Sequence, residues 1–422
     1  MRGVYVLLLI SLLGYTGRVS GQESVTITQC YEWARANYPQ IHQMGLIDQT
    51  ERYSLSNVGK AWLPQLSVSG KASYQSDVTK LPLDGDKISS LLPGFEIPSL
   101  SKDQYQVVAQ VDQTIWDGGS TRSARALTRA EAIANREQLE SELYALNDRV
   151  NQIYFGCLLQ DELIRQNALL QKELQVNIER IEAMMENGVA NQSDLESMEV
   201  ELLNARQNEI ELKASRTVYR QMLATFINKP LTDQVVLKTP ESPERSLSTQ
   251  INRPELRALD AKSEWIETQN KQVTAGLMPR IGAFVQGGYG RPGLNMLEDS
   301  FEPYYVAGVR LSWNLGKLYT LKNDRRKIEV SRRQIDVQRE TFLFNTRLQL
   351  LQQNTEIKKM TDLMRADDDI IRLRTSIKQA AEVKLENGVI SVTDLIREIN
   401  AEDMARQTAA AHRVQRLMTI YN

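Results

Sequence analysis

Glu186-Asn187-Gly188-Val189-Ala190-Asn191-Gln192-Ser193-Asp194-Leu195 returns 200 residues later as Glu386-Asn387-Gly388-Val389-Ile390-Ser391-Val392-Thr393-Asp394-Leu395. Each copy interrupts a very long helical pattern, so the duplicated unit reads as a helical hairpin closed by a Gly-Val turn. A repeat of this size decides the architecture before any single motif is weighed. The strongest signal is a structural period and not a reactive cluster, which points away from an enzyme.

Working outward, the 12 prolines all fall outside residues 99–229 and 304–422. Proline removes a helix donor and clashes with the preceding turn, so its absence permits very long helices there. Leu139, Leu143, Leu146, Val150, Ile153 and Cys157 step by four and three, as a coiled-coil seam does. Residues 120–187 as one helix would be about 100 Å long, more than a globular domain needs. After Gly188 the pattern resumes with Ser193 as the expected N-cap and runs to about Phe226. The second copy repeats the plan, with 317–387 outward and 393–421 back. Shorter helical pieces, 26–61 and 254–277, precede each copy.

Between the helical parts the apolar period changes from 3.6 to 2. Leu66, Val68 and Tyr74 alternate with polar neighbours, as do Tyr105, Val107, Ala109 and Val111. In the second copy Ile281, Ala283, Val285 and Tyr289 share one parity, and so do Tyr305, Ala307, Val309, Leu311 and Trp313. One apolar face, one polar face and aromatics near the ends suit a membrane β-barrel, although a half-solvated soluble sheet looks the same locally. Pro64 matches Pro279 where the hairpins begin, and Trp116-Asp117-Gly118-Gly119 matches Trp313-Asn314-Leu315-Gly316 where they end. The first hairpin has the longer loop, dotted with Leu81, Leu83, Leu91, Leu92, Phe95 and Ile97, long enough to fold over a barrel mouth. Four strands cannot close a barrel, because the smallest membrane barrels use about eight. Several chains must share one barrel, and physics alone does not choose between two, three or four.

The chain has 422 residues, 25% charged, with a formal net charge of −2, so no basic excess suggests nucleic acid. Arg2, the apolar run from Val4 to Leu13 and the small residues Val19-Ser20-Gly21 read as a secretory signal peptide over 1–21. Cys30 lacks the small preceding residues of a lipoprotein signal. No later apolar run is long enough for a spanning helix, so a membrane role would use strands. The expected organisation is a first structural repeat over 22–229 (helix, β-hairpin, long helical hairpin), a linker or equatorial segment over 230–252 and a second repeat over 253–422.

Together the paired Gly-Val turns followed by Asp-Leu, the paired Trp-x-x-Gly strand ends and Arg253-Pro254-Glu255-Leu256 resemble the TolC-type outer-membrane efflux proteins over essentially the whole mature chain. The resemblance implies an α+β membrane protein, a homotrimer in which long helical hairpins form a periplasmic tunnel. Four β-strands per chain contribute to one shared barrel of twelve in the outer membrane. It implies a passive exit duct of a tripartite efflux or type I secretion system, coupled through a periplasmic adaptor to an inner-membrane transporter. The alternative is a secreted or periplasmic coiled-coil scaffold without channel activity, which leaves the aromatic strand hairpins idle.

By the same resemblance Gly188, Val189, Gly388 and Val389 form the periplasmic tip that docks the adaptor. Physically, the two glycines are also expected as simple C-caps. Asp194 and Asp394 match positions that constrict the tunnel, while the helix dipole alone would explain a carboxylate in that first turn. Arg397 and Ile390 stand where the family can carry an acidic and a basic residue, so its salt-bridge network does not transfer. Asp367-Asp368-Asp369 with Arg372 and Arg374 reads as a solvated helix face. His42 and His412 have no paired ligand spacing, and no phosphate loop or nucleophile elbow appears, so no catalytic residue, metal or cofactor is expected. Cys30 and Cys157 are expected roughly 51 and 57 Å below the strands if both intervening segments are helices, about one turn apart in height. A disulfide and two buried free thiols are both compatible with that spacing.

Overall fold

A computed structural model describes residues 24–79, 100–241 and 251–422; residues 1–21, where a signal peptide is expected, and the apolar residues of the first loop lie outside them. In chain order the elements are β1 (Ser24–Val25), α1 (Ile27–Asn37), α2 (Gln43–Gly59), β2 (Gln65–Tyr74), β3 (Asp103–Trp116), α3 (Ser120–Tyr144) and α4 (Leu146–Glu186). Then follow α5 (Gln192–Ile227), β4 (Val236–Leu237), α6 (Pro254–Ala275), β5 (Arg280–Arg291), β6 (Glu302–Ser312), α7 (Leu318–Glu386) and α8 (Val392–Tyr421). The long hairpins, the four alternating strands and the duplication are all present. Two compact units each draw on both repeats: residues up to His42 with Leu139–Asn252 and Thr341–Asn422, and Gln43–Gln138 with Arg253–Glu340.

The second of these units carries an antiparallel sheet in the order β2-β3-β5-β6. Its register sets Val68 against Ala109, Val111 against Val285 and Val285 against Ala307, so side chains of one parity share a face across all four strands. That face is apolar and bare: Leu66, Val285 and Val309 are 71%, 55% and 70% exposed. The opposite face carries Gln106, Gln110 and Asp112, half-buried. A water-soluble sheet would bury the apolar face, so this one is inside out for water. Prolines 64 and 279 stand immediately before β2 and β5, and a bulge at Thr114/Trp116 ends regular pairing where β3 leaves the sheet. Asp117 then starts α3 by accepting the N–H groups of Gly119 and Thr121, at 2.9 and 2.6 Å. In the same unit Ile266 of α6 packs with Ile328 and Ile335 of α7.

The other unit is conventional in burial. One core gathers Ile27, Cys30 and Ala34 of α1, Val150, Tyr154 and Cys157 of α4, and Leu223 and Ile227 of α5. The Tyr154 hydroxyl lies 2.9 and 2.7 Å from the carbonyls of Val25 and Lys238, across the parallel β1–β4 pair. Fully buried Asn151 accepts the Tyr31 hydroxyl and donates to the Tyr421 carbonyl at 2.9 Å, tying α1 and α8 to α4. Cys30 and Cys157 are free thiols, both buried in this core, and burial pushes each up to about 12.

Four expectations need correction. The 26–61 helix is two helices, because Tyr38 is extended ahead of Pro39, as a residue preceding proline prefers to be. The 120–187 helix is α3 and α4, parted at Ala145, which keeps helical dihedrals (φ −63°, ψ −15°) and donates to the Ser141 carbonyl at 3.3 Å. Asn191, not Ser193, caps α5, since its side chain reaches the N–H of Asp194. Asp367 is not solvated: it is 7% exposed and meets His412 Nδ1 at 2.7 Å, because only one of three consecutive helical residues can face inward.

Candidate functional site

Both Gly-Val turns end their helices in the same way. Gly188 has φ +72° and Gly388 φ +67°, the left-handed backbone that glycine adopts without penalty. The N–H of Gly188 donates to Met185 at 2.9 Å and that of Val189 to Met184 at 2.8 Å. Gly388 and Val389 repeat this on Leu385 and Lys384 at 2.9 and 2.8 Å, a Schellman end in each copy. No atom lies within 4 Å of a Cβ built on either glycine, so backbone conformation and not crowding demands them. The valines at the apex are 57% and 68% exposed. A bare valine at a helix turn contributes nothing to the core and offers a surface.

The two aspartates close capping boxes. Asn191 Oδ1 accepts the Asp194 N–H at 3.1 Å, while Asp194 Oδ2 accepts the Asn191 N–H at 3.1 Å. Ser391 and Asp394 make the same exchange at 3.2 Å in both directions, and the Ser391 hydroxyl donates to Asp394 at 2.7 Å. Arg397 Nη2 adds a bond at 2.9 Å. The Ser391 hydroxyl and N–H, then Arg397, hold the exposed Asp394 carboxyl below the usual carboxylate range. The geometry therefore accounts for both aspartates as helix starters, and leaves Asp394 ionised with its side chain 40% exposed.

The two hairpins share a core. Leu174, Ile178 and Ile181 of α4 and Met198 and Leu202 of α5 pack with Leu385 of α7 and Leu395 and Ile399 of α8. Arg180 meets Glu386 across the hairpins at 3.6 Å. Above this core lies a cluster that sequence reasoning missed. Lys378 Nζ binds Glu173 of α4 and, at 2.7 Å, Glu402 of α8. Glu402, 3% exposed, also accepts Thr375 Oγ1 and Arg406 Nη2, each at 2.5 Å. Burial disfavours charge on both Lys378 and Glu402, but their bonds outweigh it: Glu173 and then Glu402 raise the lysine, while Lys378, Thr375 and Arg406 lower the glutamate. Neighbouring Asp403 is raised by burial. The i, i+4 spacing of Glu402 and Arg406 was visible in the sequence; the partner helix bringing Glu173 was not.

Residues 30–229 match the family described as outer membrane efflux protein. That match covers 200 of the 422 residues. Solved structures share the fold over nearly all of it. CusC, whose crystal structures concern folding and transmembrane channel formation, has a TM-score of 0.66 at 14% identity, covering 94% of this chain and 90% of that one. The outer membrane protein VceC of Vibrio cholerae has a TM-score of 0.65 at 12% identity, covering 94% of each chain. The open state of the MtrE outer membrane channel of Neisseria gonorrhoeae has a TM-score of 0.62 at 14% identity, covering 94% and 87%. At these identities the likeness is one of fold. No curated protein sequence matches the chain. No helix among the described residues is long and apolar enough to cross a membrane. Family and fold together support an efflux channel role at the outer membrane.

Proposed function

We propose that three copies of the chain close one twelve-stranded barrel in the outer membrane, with the helical hairpins forming a tunnel in the periplasm. The observation that carries this reading is the inside-out sheet. Its exposed face is apolar, its other face is polar, and β2 and β6 are edge strands with no partner on their outer side among the described residues. Long exposed edges need a partner, and β6 of one copy beside β2 of the next supplies it all the way round. A monomeric scaffold would leave both the edges and the apolar face in water.

The duct is passive and takes its energy from an inner-membrane transporter, reached through a periplasmic adaptor. The adaptor docks on the tips, where Gly188 with Val189 and Gly388 with Val389 present bare apolar apices. Asp194 and Asp394 line the constriction just behind them, each fixed in place by its capping box. Planar-bilayer recording of the purified protein tests the channel. Wild type should conduct in discrete steps, and Asp394→Ala should change conductance or cation preference, because a ring of carboxylates at a constriction sets the local field. Absence of any channel activity in wild type would remove the reading.

A further inference from the structure

Directly below the apolar face of the sheet lies a groove of about 1050 Å³ between the start of α3 and the end of α6. One wall is aromatic: Trp62 and Trp116 are 41% and 42% exposed. The other is basic. Arg122, Arg125 and Arg129 follow one another at i, i+3 and i+7 along one face of α3, and Lys271 faces them from α6. None of these four cations forms a salt bridge among the described residues. The one acid lining the groove, Asp117, is already used as the cap of α3. Cations gathered this closely repel one another unless an anion joins them.

We infer that this groove seats the phosphate headgroup of an anionic glycerophospholipid in the leaflet next to the helical part of the protein. The inference rests on the sheet being embedded in lipid, as proposed above. Past the bulge at Thr114/Trp116, Trp116 pairs with Ile281, which shares the face of Val285, so the groove borders the apolar surface. Acyl chains lie along that surface while the indoles sit at headgroup level, where tryptophan is favoured. The arginine forks take the phosphate oxygens in pairs. A zwitterionic lipid would bring its ammonium group towards the same cations, so the groove selects for net negative charge. In the barrel proposed above neighbouring copies join at β2 and β6, whereas Trp116 ends the central strand β3 and Met278 stands just before the central strand β5.

The test uses the full chain in detergent, incubated with equal amounts of phosphatidylglycerol and phosphatidylcholine, with the retained lipid measured by mass spectrometry. Wild type should retain phosphatidylglycerol at least about fivefold over phosphatidylcholine. The triple variant R122Q/R125Q/R129Q should lose that preference, while the charge-matched K358Q/R365Q/R372Q on α7 keeps it, and excess inorganic phosphate should not displace the lipid. Equal retention of the two lipids by wild type would overturn the inference, as would equal loss in both triple variants or displacement by inorganic phosphate. Heat-modifiable mobility of the outer-membrane fraction reports the barrel separately. Insertion without lipid preference removes only this inference, and failure of wild type to insert removes the barrel reading with it.

Discussion

Ile178 and Leu202 stand in the first hairpin where Lys378 and Glu402 stand in the second, each pair 200 residues apart in sequence. The backbones around them are alike, with the same Schellman ends and the same capping boxes. Their chemistry is not. The first pair sits in the apolar core at 5% and 7% exposure, while in the second Glu402 is 3% exposed and ion-paired. Buried ion pairs stabilise little beyond an apolar pair of similar volume, yet breaking one is costly. The first hairpin is therefore closed by a clasp that conditions hardly touch. The second is closed by one that responds to protons and to loss of a single partner.

The largest expected effect breaks the second clasp. Lys378→Ile alone leaves Glu402 buried without its lysine and should cost about 3 kcal/mol. Adding Glu402→Leu recreates the first hairpin's pair and should recover most of that loss or exceed the wild type. A double-mutant cycle from denaturant midpoints measures this, and additive losses would show that the two residues do not act together.

Next comes the shared core. Leu395, fully buried, should cost about 3 kcal/mol as Leu395→Ala, whereas the repeat-equivalent Leu195, only half-buried, should cost clearly less. Equal costs would mean that the two tips are packed equally and that the asymmetry is confined to the charged cluster.

Acid should separate the hairpins further. Glu402 is lowered in the folded state, so its contribution is whole above the ordinary carboxylate pKa and is lost as pH falls through the folded value. Asp403 is raised by burial, so its ionised form costs stability near neutrality and that cost is relieved as pH falls through its raised value. Stability against pH should thus rise slightly on mild acidification and then fall. Asp403→Asn should remove the rise and Glu402→Gln the fall; a curve unchanged by both would show that neither carboxyl governs it.

The smallest effects fall on the glycines, where the copies should agree. Gly188→Ala and Gly388→Ala each force a side chain into left-handed backbone with open space around it, a cost of about 1 kcal/mol in both. A large difference between them would mean that one tip is held by something other than its backbone.

What was legible in the sequence is what local periodicity carries. The tips, the four strands, the prolines before them and the tryptophans after them are all written in near-neighbour spacing. The capping boxes were legible too, since Asn191-x-x-Asp194 runs parallel to Ser391-x-x-Asp394, but the hydroxyl of Ser193 drew the reading two residues late. Long-range pairing was not legible. Lys378 and Glu173 lie 205 residues apart, and nothing local says which face of α4 meets α7. Asp367 looked solvated because three adjacent aspartates read as one polar patch, although the 100° step between helical residues turns only one of them inward. His412, with no ligand spacing of its own, gave no hint that it was Asp367's partner.

The shared barrel is tested most directly by the protein mass of the detergent-solubilised particle, measured by light scattering with the detergent contribution subtracted. Three chains per particle, with full β-signal resistant to heat, is the result expected from four strands per chain and two open edges. A stable monomer carrying the full strand content would contradict it.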